Sequence, residues 1–128
     1  MIHRFPVTVY YEDTDMGGIV YYANYLKFIE RARSTWVAEL GVDQLAMKDD
    51  GVVFAVRRVE ADYLAPAKLG NSLEVRTDVQ AATPARWILQ QDIWRDETHL
   101  FSAVVTIVAI GDAGQPVRLP AELRRRVN

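Results

Sequence analysis

Between residues 12 and 25 the chain reads EDTDMGGIVYYANY. Three carboxylates, Glu12, Asp13 and Asp15, are followed at once by Gly17 and Gly18 and then by the aromatics Tyr21, Tyr22 and Tyr25. A carboxylate held against an electrophilic carbonyl can attack it to form a mixed anhydride, or take a proton from water as a general base. Both routes need proximity and an ionised acid. An aspartate ahead of a helix can equally be a cap, accepting backbone N–H bonds. Glycine lets a backbone approach a ligand closely. The first amides of a helix lack internal acceptors and favour negative charge, which is what a developing oxyanion needs. A tight strand-to-helix turn would use the same glycines. Tyr21, Tyr25 and Phe28 can line a pocket or pack a core, and Asn24 can fix a turn.

Three neighbouring acids also invite a hard cation. No histidine stands near them: His3 and His99 are far apart, and cysteine is absent. No zinc motif, thiolate chemistry or disulfide is available. The expectation is a site with no metal.

These residues must be positioned by a small set of elements. FPVTVYY reads as a strand, with Val7, Val9 and Tyr11 at period two. A long helix is predicted over residues 22–40, since Tyr22, Tyr25, Leu26, Ile29, Ala32, Trp36, Val37 and Leu40 recur at steps of three and four. Gly41 is a fitting stop. Residues 43–49 predict a short second helix. VVFAVRRVEADYL, SLEVRTDVQAA, ARWILQQDIW and HLFSAVVTIVAI then predict four strands. Short links between them favour antiparallel pairing. The predicted architecture is α+β, one long helix against a curved sheet. SAVVTIVAI is apolar on both strand faces, so an oligomer is expected to cover what one helix cannot.

The chain has 128 residues, 50% of them hydrophobic, which fits a single domain spanning 1–128. Its 15 basic and 17 acidic side chains give a net charge of −2, with no general footing for nucleic acid. The one basic cluster is Arg124 to Arg126, which can meet a phosphate or lie in solvent. MIHRFPVTV lacks the apolar run of a secretion signal, and no apolar stretch approaches the roughly 20 residues that span a bilayer. A cytoplasmic protein with no membrane span is expected.

VYYEDTDMGGIVYYANYLKFIERAR and FAVRRVEADYLAPAKLGNSLEVRT resemble the 4-hydroxybenzoyl-CoA thioesterase family, most closely its acyl-CoA thioesterases associated with the Tol-Pal envelope system. The resemblance implies a hotdog fold, an antiparallel sheet wrapped around a long central helix, assembled as a homodimer or homotetramer. It implies hydrolysis of an acyl-CoA thioester to free CoA and a carboxylic acid with no metal or bound cofactor, CoA being part of the substrate. It puts the catalytic carboxylate on Asp15, the carbonyl-polarising backbone N–H on Tyr22, and substrate-binding positions on Gly17, Gly18, Tyr21 and Tyr25. The Tol-Pal-associated subgroup usually reads VYHANY; here Tyr22 replaces that histidine. An acyl-carrier-protein thioesterase and a non-catalytic acyl-binding module are the alternatives. Glu30, on the helix, is a second candidate base, or a helix-surface partner for Lys27 and Ser34. Arg57, Arg58, Lys68 and Arg76 are available for CoA phosphates, and residues 65–71 for the rim of the site.

Overall fold

The computed structural model describes residues 2–124, and for Arg124 the backbone only. The expected side-chain cluster Arg124 to Arg126 therefore lies outside the described residues. Six strands and three helices follow in the order β1 (His3–Thr8), α1 (Asn24–Glu39), α2 (Gln44–Asp49), β2 (Val53–Tyr63), β3 (Ser72–Ala82), β4 (Trp87–Arg95), β5 (Thr98–Ile110), β6 (Pro116–Val117) and α3 (Ala121–Arg124). One antiparallel sheet runs in the order β1-β3-β4-β5-β2, with β6 joined to β5.

The sheet is curved by interruptions in its register. The pairing shifts between Val56 and Arg58 in β2, between Val79 and Ala81 in β3, and between Ile93 and Trp94 in β4. An extra residue in one strand bends it and raises the local twist. The concave face wraps α1, which lies against β1, β3 and β4. Tyr25, Phe28, Ile29, Ala32, Trp36 and Val37 are buried on the helix side, and Val75, Leu89, Ile93, Phe101, Val105 and Ile107 on the sheet side. Trp36 meets Trp87 with ring centroids 5.6 Å apart. This is the hotdog arrangement expected from the sequence.

Along β5 the sides alternate: Ala103, Val105, Ile107 and Ala109 are buried, while Val104, Val108 and Ile110 are half-buried on the other face. One polar group crosses the core. Gln91, fully buried, donates to the Ile29 carbonyl and to Thr77 Oγ1, each at 3.0 Å, and accepts from Arg33 at 3.1 Å. Burial lowers the affinity of the Arg33 guanidinium for its proton, and the nearby Glu30 opposes that effect. The second helix is capped by Asp43, whose carboxylate accepts from Leu45 and Ala46 N–H. No helix among the described residues is long and apolar enough to cross a membrane.

Two boundaries differ from the sequence pattern. The first strand ends at Thr8, and Tyr11 lies in a 3-10 turn (Tyr11–Asp13), 83% exposed. The Asp13 carboxylate accepts the Tyr10 N–H at 2.9 Å and so turns the chain out of the ladder. The long helix starts at Asn24, because Tyr21 and Tyr22 are taken into the turn that leads to it.

Candidate active site

Residues 13–21 fold back on themselves as a small hairpin. Its rungs are Tyr21 N–H to the Asp13 carbonyl and Asp15 N–H to the Ile19 carbonyl, both 2.9 Å, with a bridge between Thr14 and Val20. The tip is Asp15-Met16-Gly17-Gly18. Gly18 N–H closes it on the Asp15 carbonyl at 3.0 Å, and Gly17 N–H donates to Asp15 Oδ1 at 2.8 Å. Aspartate commonly makes such a bond two residues on. Gly18 has φ +77°, a left-handed conformation that glycine adopts without steric cost. The glycines therefore sit at a hairpin tip, several residues before the helix. Both their amides are taken by Asp15, so neither is a free anion donor. Gly17 holds the Asp15 carboxylate by Oδ1 and Gly18 holds the Asp15 backbone carbonyl, while Oδ2 has no hydrogen-bond partner among the described residues.

The hairpin is seated on residues 65–71. Val20 N–H donates to the Ala67 carbonyl at 2.9 Å, and Ile19 bridges Lys68. From there the chain turns into α1. Asn24 N–H donates to the Tyr21 carbonyl at 2.8 Å. In a trans peptide the N–H points opposite to the carbonyl. The Tyr22 N–H, in the same peptide plane, is thus directed away from the helix turn. Among the described residues it has no acceptor. The helix start has no side-chain cap at Ala23. Unpaired amides and the positive end of the helix dipole coincide there.

An apolar groove of about 360 Å³ reaches from the returning arm of the hairpin to the start of α1, lined by Ile19, Val20, Tyr22, Tyr25, Tyr63, Leu64, Ala65 and Pro66. Its floor is aromatic. Tyr25, buried, stacks on Phe101 at 5.1 Å and meets Tyr63 edge-on at 5.4 Å. The Tyr25 hydroxyl accepts Ala67 N–H at 3.0 Å, tying the helix to the segment that carries the hairpin. Tyr63 donates its hydroxyl to the Tyr22 carbonyl at 2.9 Å. Burial first, then the neighbouring Tyr22 and Tyr25, raise the Tyr63 pKa, so the hydroxyl stays a donor. Tyr21 and Tyr22 are exposed with rings 4.9 Å apart; Tyr22 beside it is the main cause that raises the Tyr21 pKa, and Asp15 contributes last.

The three acids of the opening motif have separate surroundings. Asp15 is exposed at the tip, Glu12 is exposed, and Asp13 is 3% exposed. Asp13 Oδ2 accepts from Tyr10 N–H and Oδ1 from Asn24 Nδ2 at 3.0 Å, so they do not form a common cage. No group of three or more histidine, aspartate or glutamate side chains converges among the described residues. His3 stacks on Trp36, and His99 stacks on Trp94 with Nε2 3.1 Å from Asp92. Glu30 accepts from the Ser34 hydroxyl at 2.6 Å and lines a different cavity, of about 250 Å³, with Arg33, Trp87 and Phe54. Of the basic candidates, Arg76 pairs with Glu74 and lies over Trp94, while Arg57 and Arg58 line a cleft of about 500 Å³ on the outer sheet face.

Sequence reasoning left out two contributors, Tyr63 and Arg86, and left one pairing unseen. Tyr63 stands 41 positions from Tyr22 in sequence and carries no local signal. Arg86, alone in its turn, joins Arg57 and Arg58 in the outer cleft. The sequence offers Asp13 as a turn acid and Asn24 as a turn-fixing amide with no link between them, and the fold puts them 3.0 Å apart.

The model of the thioesterase-like superfamily matches residues 9–127. The acyl-CoA thioesterase YbgC of Haemophilus influenzae is 38% identical over 123 residues, covering 94% of this chain and 90% of that protein. The acyl-CoA thioester hydrolase YbgC of Escherichia coli O6:H1 is 37% identical over 111 residues, covering 87% and 83%. Among solved structures, a probable thioesterase from Bartonella henselae superposes with a TM-score of 0.89 at 35% identity, covering 94% of this chain and all of that one.

Proposed function

The chain belongs to the thioesterase-like superfamily, and from that premise we propose that it hydrolyses acyl-CoA thioesters with Asp15 as nucleophile or general base. The observation that carries the reading is three features gathered on one segment, residues 15–25. The hairpin tip holds a carboxylate with one oxygen free, the start of α1 offers an unpaired amide, and the residues that join them, Ile19, Val20 and Tyr22, line an apolar groove. A thioester needs those three things. The Tyr22 N–H would stabilise the negative charge that forms on the carbonyl oxygen. Asp15 would attack the carbonyl carbon or take a proton from the attacking water. The C–S bond breaks and CoA leaves as its thiol; on the nucleophilic route water then cleaves the mixed anhydride and frees Asp15, and on either route the acyl group leaves as a carboxylate. Gly17 and Gly18 shape the approach, and Tyr21, Tyr22, Tyr25 and Tyr63 form the wall that meets the acyl or pantetheine chain.

The wider assignment follows from the same reading. The protein acts as a homodimer or homotetramer in the cytoplasm. In support of assembly, β2 is an edge strand with Val53, Val56, Val59 and Tyr63 exposed along it. Light scattering on the purified protein tests this, a monomer at working concentration being the adverse result.

The activity is tested with a panel of short, long and aromatic acyl-CoAs, reading released thiol. The expected result is turnover of at least one class, and a loss of about 100-fold or more in folded Asp15→Asn with acyl-CoA binding retained. Undiminished turnover by that variant would falsify the role of Asp15. Comparison with Glu30→Gln distinguishes the two carboxylates, since Glu30 is expected to have little effect.

A further inference from the structure

We infer that Asp13 and Asn24 are positioning residues of the hydrolysis: a buried clasp that sets the Asp15 carboxylate against the start of α1. The inference rests on the reading of Asp15 as the reacting carboxylate.

Asp13 is 3% exposed and Asn24 8%. Among the described residues no cation is paired with Asp13. An unpaired buried carboxylate is costly, so the bonds it makes must be specific ones. One of its oxygens accepts the Tyr10 N–H at 2.9 Å, which fixes the exit from β1. The other accepts Asn24 Nδ2 at 3.0 Å, which fixes the first residue of α1. Its backbone carbonyl accepts the Tyr21 N–H at 2.9 Å, which closes the base of the hairpin. One residue therefore joins strand, hairpin and helix.

Both reacting groups stand two residues from the clasp. On one side, Asp15 follows Asp13 through Thr14, itself bridged to Val20. Little torsional freedom remains between the buried acid and the exposed one. On the other side, Asn24 uses its own N–H to hold the Tyr21 carbonyl at 2.8 Å, and that carbonyl belongs to the peptide whose N–H is Tyr22's. Asn24 thus grips Asp13 with its side chain and aims the Tyr22 amide with its backbone. A slack clasp would let the carboxylate and the amide drift apart with the groove unchanged. The signature is a fall in kcat with KM nearly constant, because reacting-group placement acts mainly on the chemical step.

The test uses Asn24→Ala, which removes the donor, and the exchange D13N/N24D, which rebuilds it in reverse. In the exchange the amide oxygen at 13 accepts from Tyr10 and the amide nitrogen donates to the new carboxylate at 24. Each is assayed for kcat, KM and Tm beside Asp15→Asn, well below every melting point. The expected result is a fall in kcat of about 10-fold or more for Asn24→Ala, KM within about 2-fold, and recovery of most of kcat in the exchange. Wild-type kcat in folded Asn24→Ala overturns the inference. So does an exchange that regains Tm without regaining turnover. If Asn24→Ala does not fold, Asn24→Ser, with a shorter donor, carries the test: several-fold lower kcat supports the clasp and unchanged kcat overturns it. An active Asp15→Asn is a different failure, of the functional reading itself; an inactive Asp15→Asn beside a fully active Asn24→Ala sinks the clasp alone.

Discussion

Gly17 and Gly18 are adjacent, exposed and chemically identical, yet alanine at each should fail in a different way. A Cβ on Gly17 would lie 3.2 Å from Asp15 Oδ1, and Gly17 is outside the left-handed region. The backbone accepts the new side chain, but the carboxylate must retreat by about 0.3 Å to restore ordinary contact, stretching its 2.8 Å bond to the Gly17 amide. A misplacement of about 1 Å costs about 100-fold in rate, so about 0.3 Å costs roughly 4-fold, near 0.8 kcal/mol of barrier. Stability should hardly change, because alanine also restricts the unfolded chain by about 0.4–1 kcal/mol in the protein's favour. A Cβ on Gly18 would meet nothing within 4 Å, but φ is +77°. The left-handed conformation costs about 1–2 kcal/mol for an L-residue. Less the same unfolded-state gain, Gly18→Ala should lose about 0–1.6 kcal/mol, centred on about 0.8 kcal/mol or about 3 °C in Tm for a domain of this length.

The assay pairs thiol release at several substrate concentrations with thermal unfolding of both variants. Gly17→Ala should show lowered kcat with a Tm within about 2 °C of the parent, and Gly18→Ala a fall in Tm of about 3 °C. Full turnover in Gly17→Ala would show that the reaction does not depend on where the tip holds Asp15. A larger Tm loss in Gly17→Ala than in Gly18→Ala would refute the assignment of steric pressure to one glycine and backbone strain to the other.

Tyr63→Phe keeps the ring in the groove and removes the 2.9 Å bond to the Tyr22 carbonyl; kcat should fall by about 2- to 5-fold with Tm little changed, as read by the same two assays. Phe28→Ala removes a ring with no exposed surface from the helix–sheet contact and should cost about 3–5 kcal/mol, measured as a lower urea midpoint. Glu74 has its pKa lowered chiefly by the hydrogen bond from Arg76 and then by Arg4. Its stabilisation is therefore fully present above the ordinary glutamate value of about 4.3 and is lost as pH falls through the folded-state value. In urea titrations the gap between parent and Glu74→Gln should be widest near neutrality and close below about pH 4; a gap that persists in acid contradicts the pairing.

The long helix was legible because Tyr25, Ile29, Ala32, Trp36 and Val37 repeat at helical spacing and are all buried against the sheet. The four later strands were legible because short polar turns separate runs of valine, isoleucine and aromatics, and each run matches a strand within two residues. What periodicity could not supply was the element ends near the site. Tyr11 continues the period-two pattern of Val7 and Val9, but the strand stops where a distant-looking side chain, Asp13, captures the Tyr10 N–H. Tyr22 continues the helical pattern but stands outside the helix, 62% exposed. The two-residue β6 and one-turn α3 are too short to leave a periodic trace.

The same limit governs the acids. Asp13 and Asp15 are the same residue type two positions apart, so residue type cannot assign one to structure and the other to chemistry. Within a hairpin, alternate residues point to the same side, which would give both carboxylates one environment. The 3-10 turn at Tyr11–Asp13 breaks that equivalence: it turns Asp13 inward against Asn24, while the tip that begins at Asp15 faces outward. Burial then divides the work. Each oxygen of the inward acid is held by a donor, and its burial closes it to a substrate. The outward acid keeps an oxygen free because glycines, which bring no side chains, complete its turn. Exchanging the two environments would require moving the glycines, so the GG step is as much a part of the site as the carboxylate it holds.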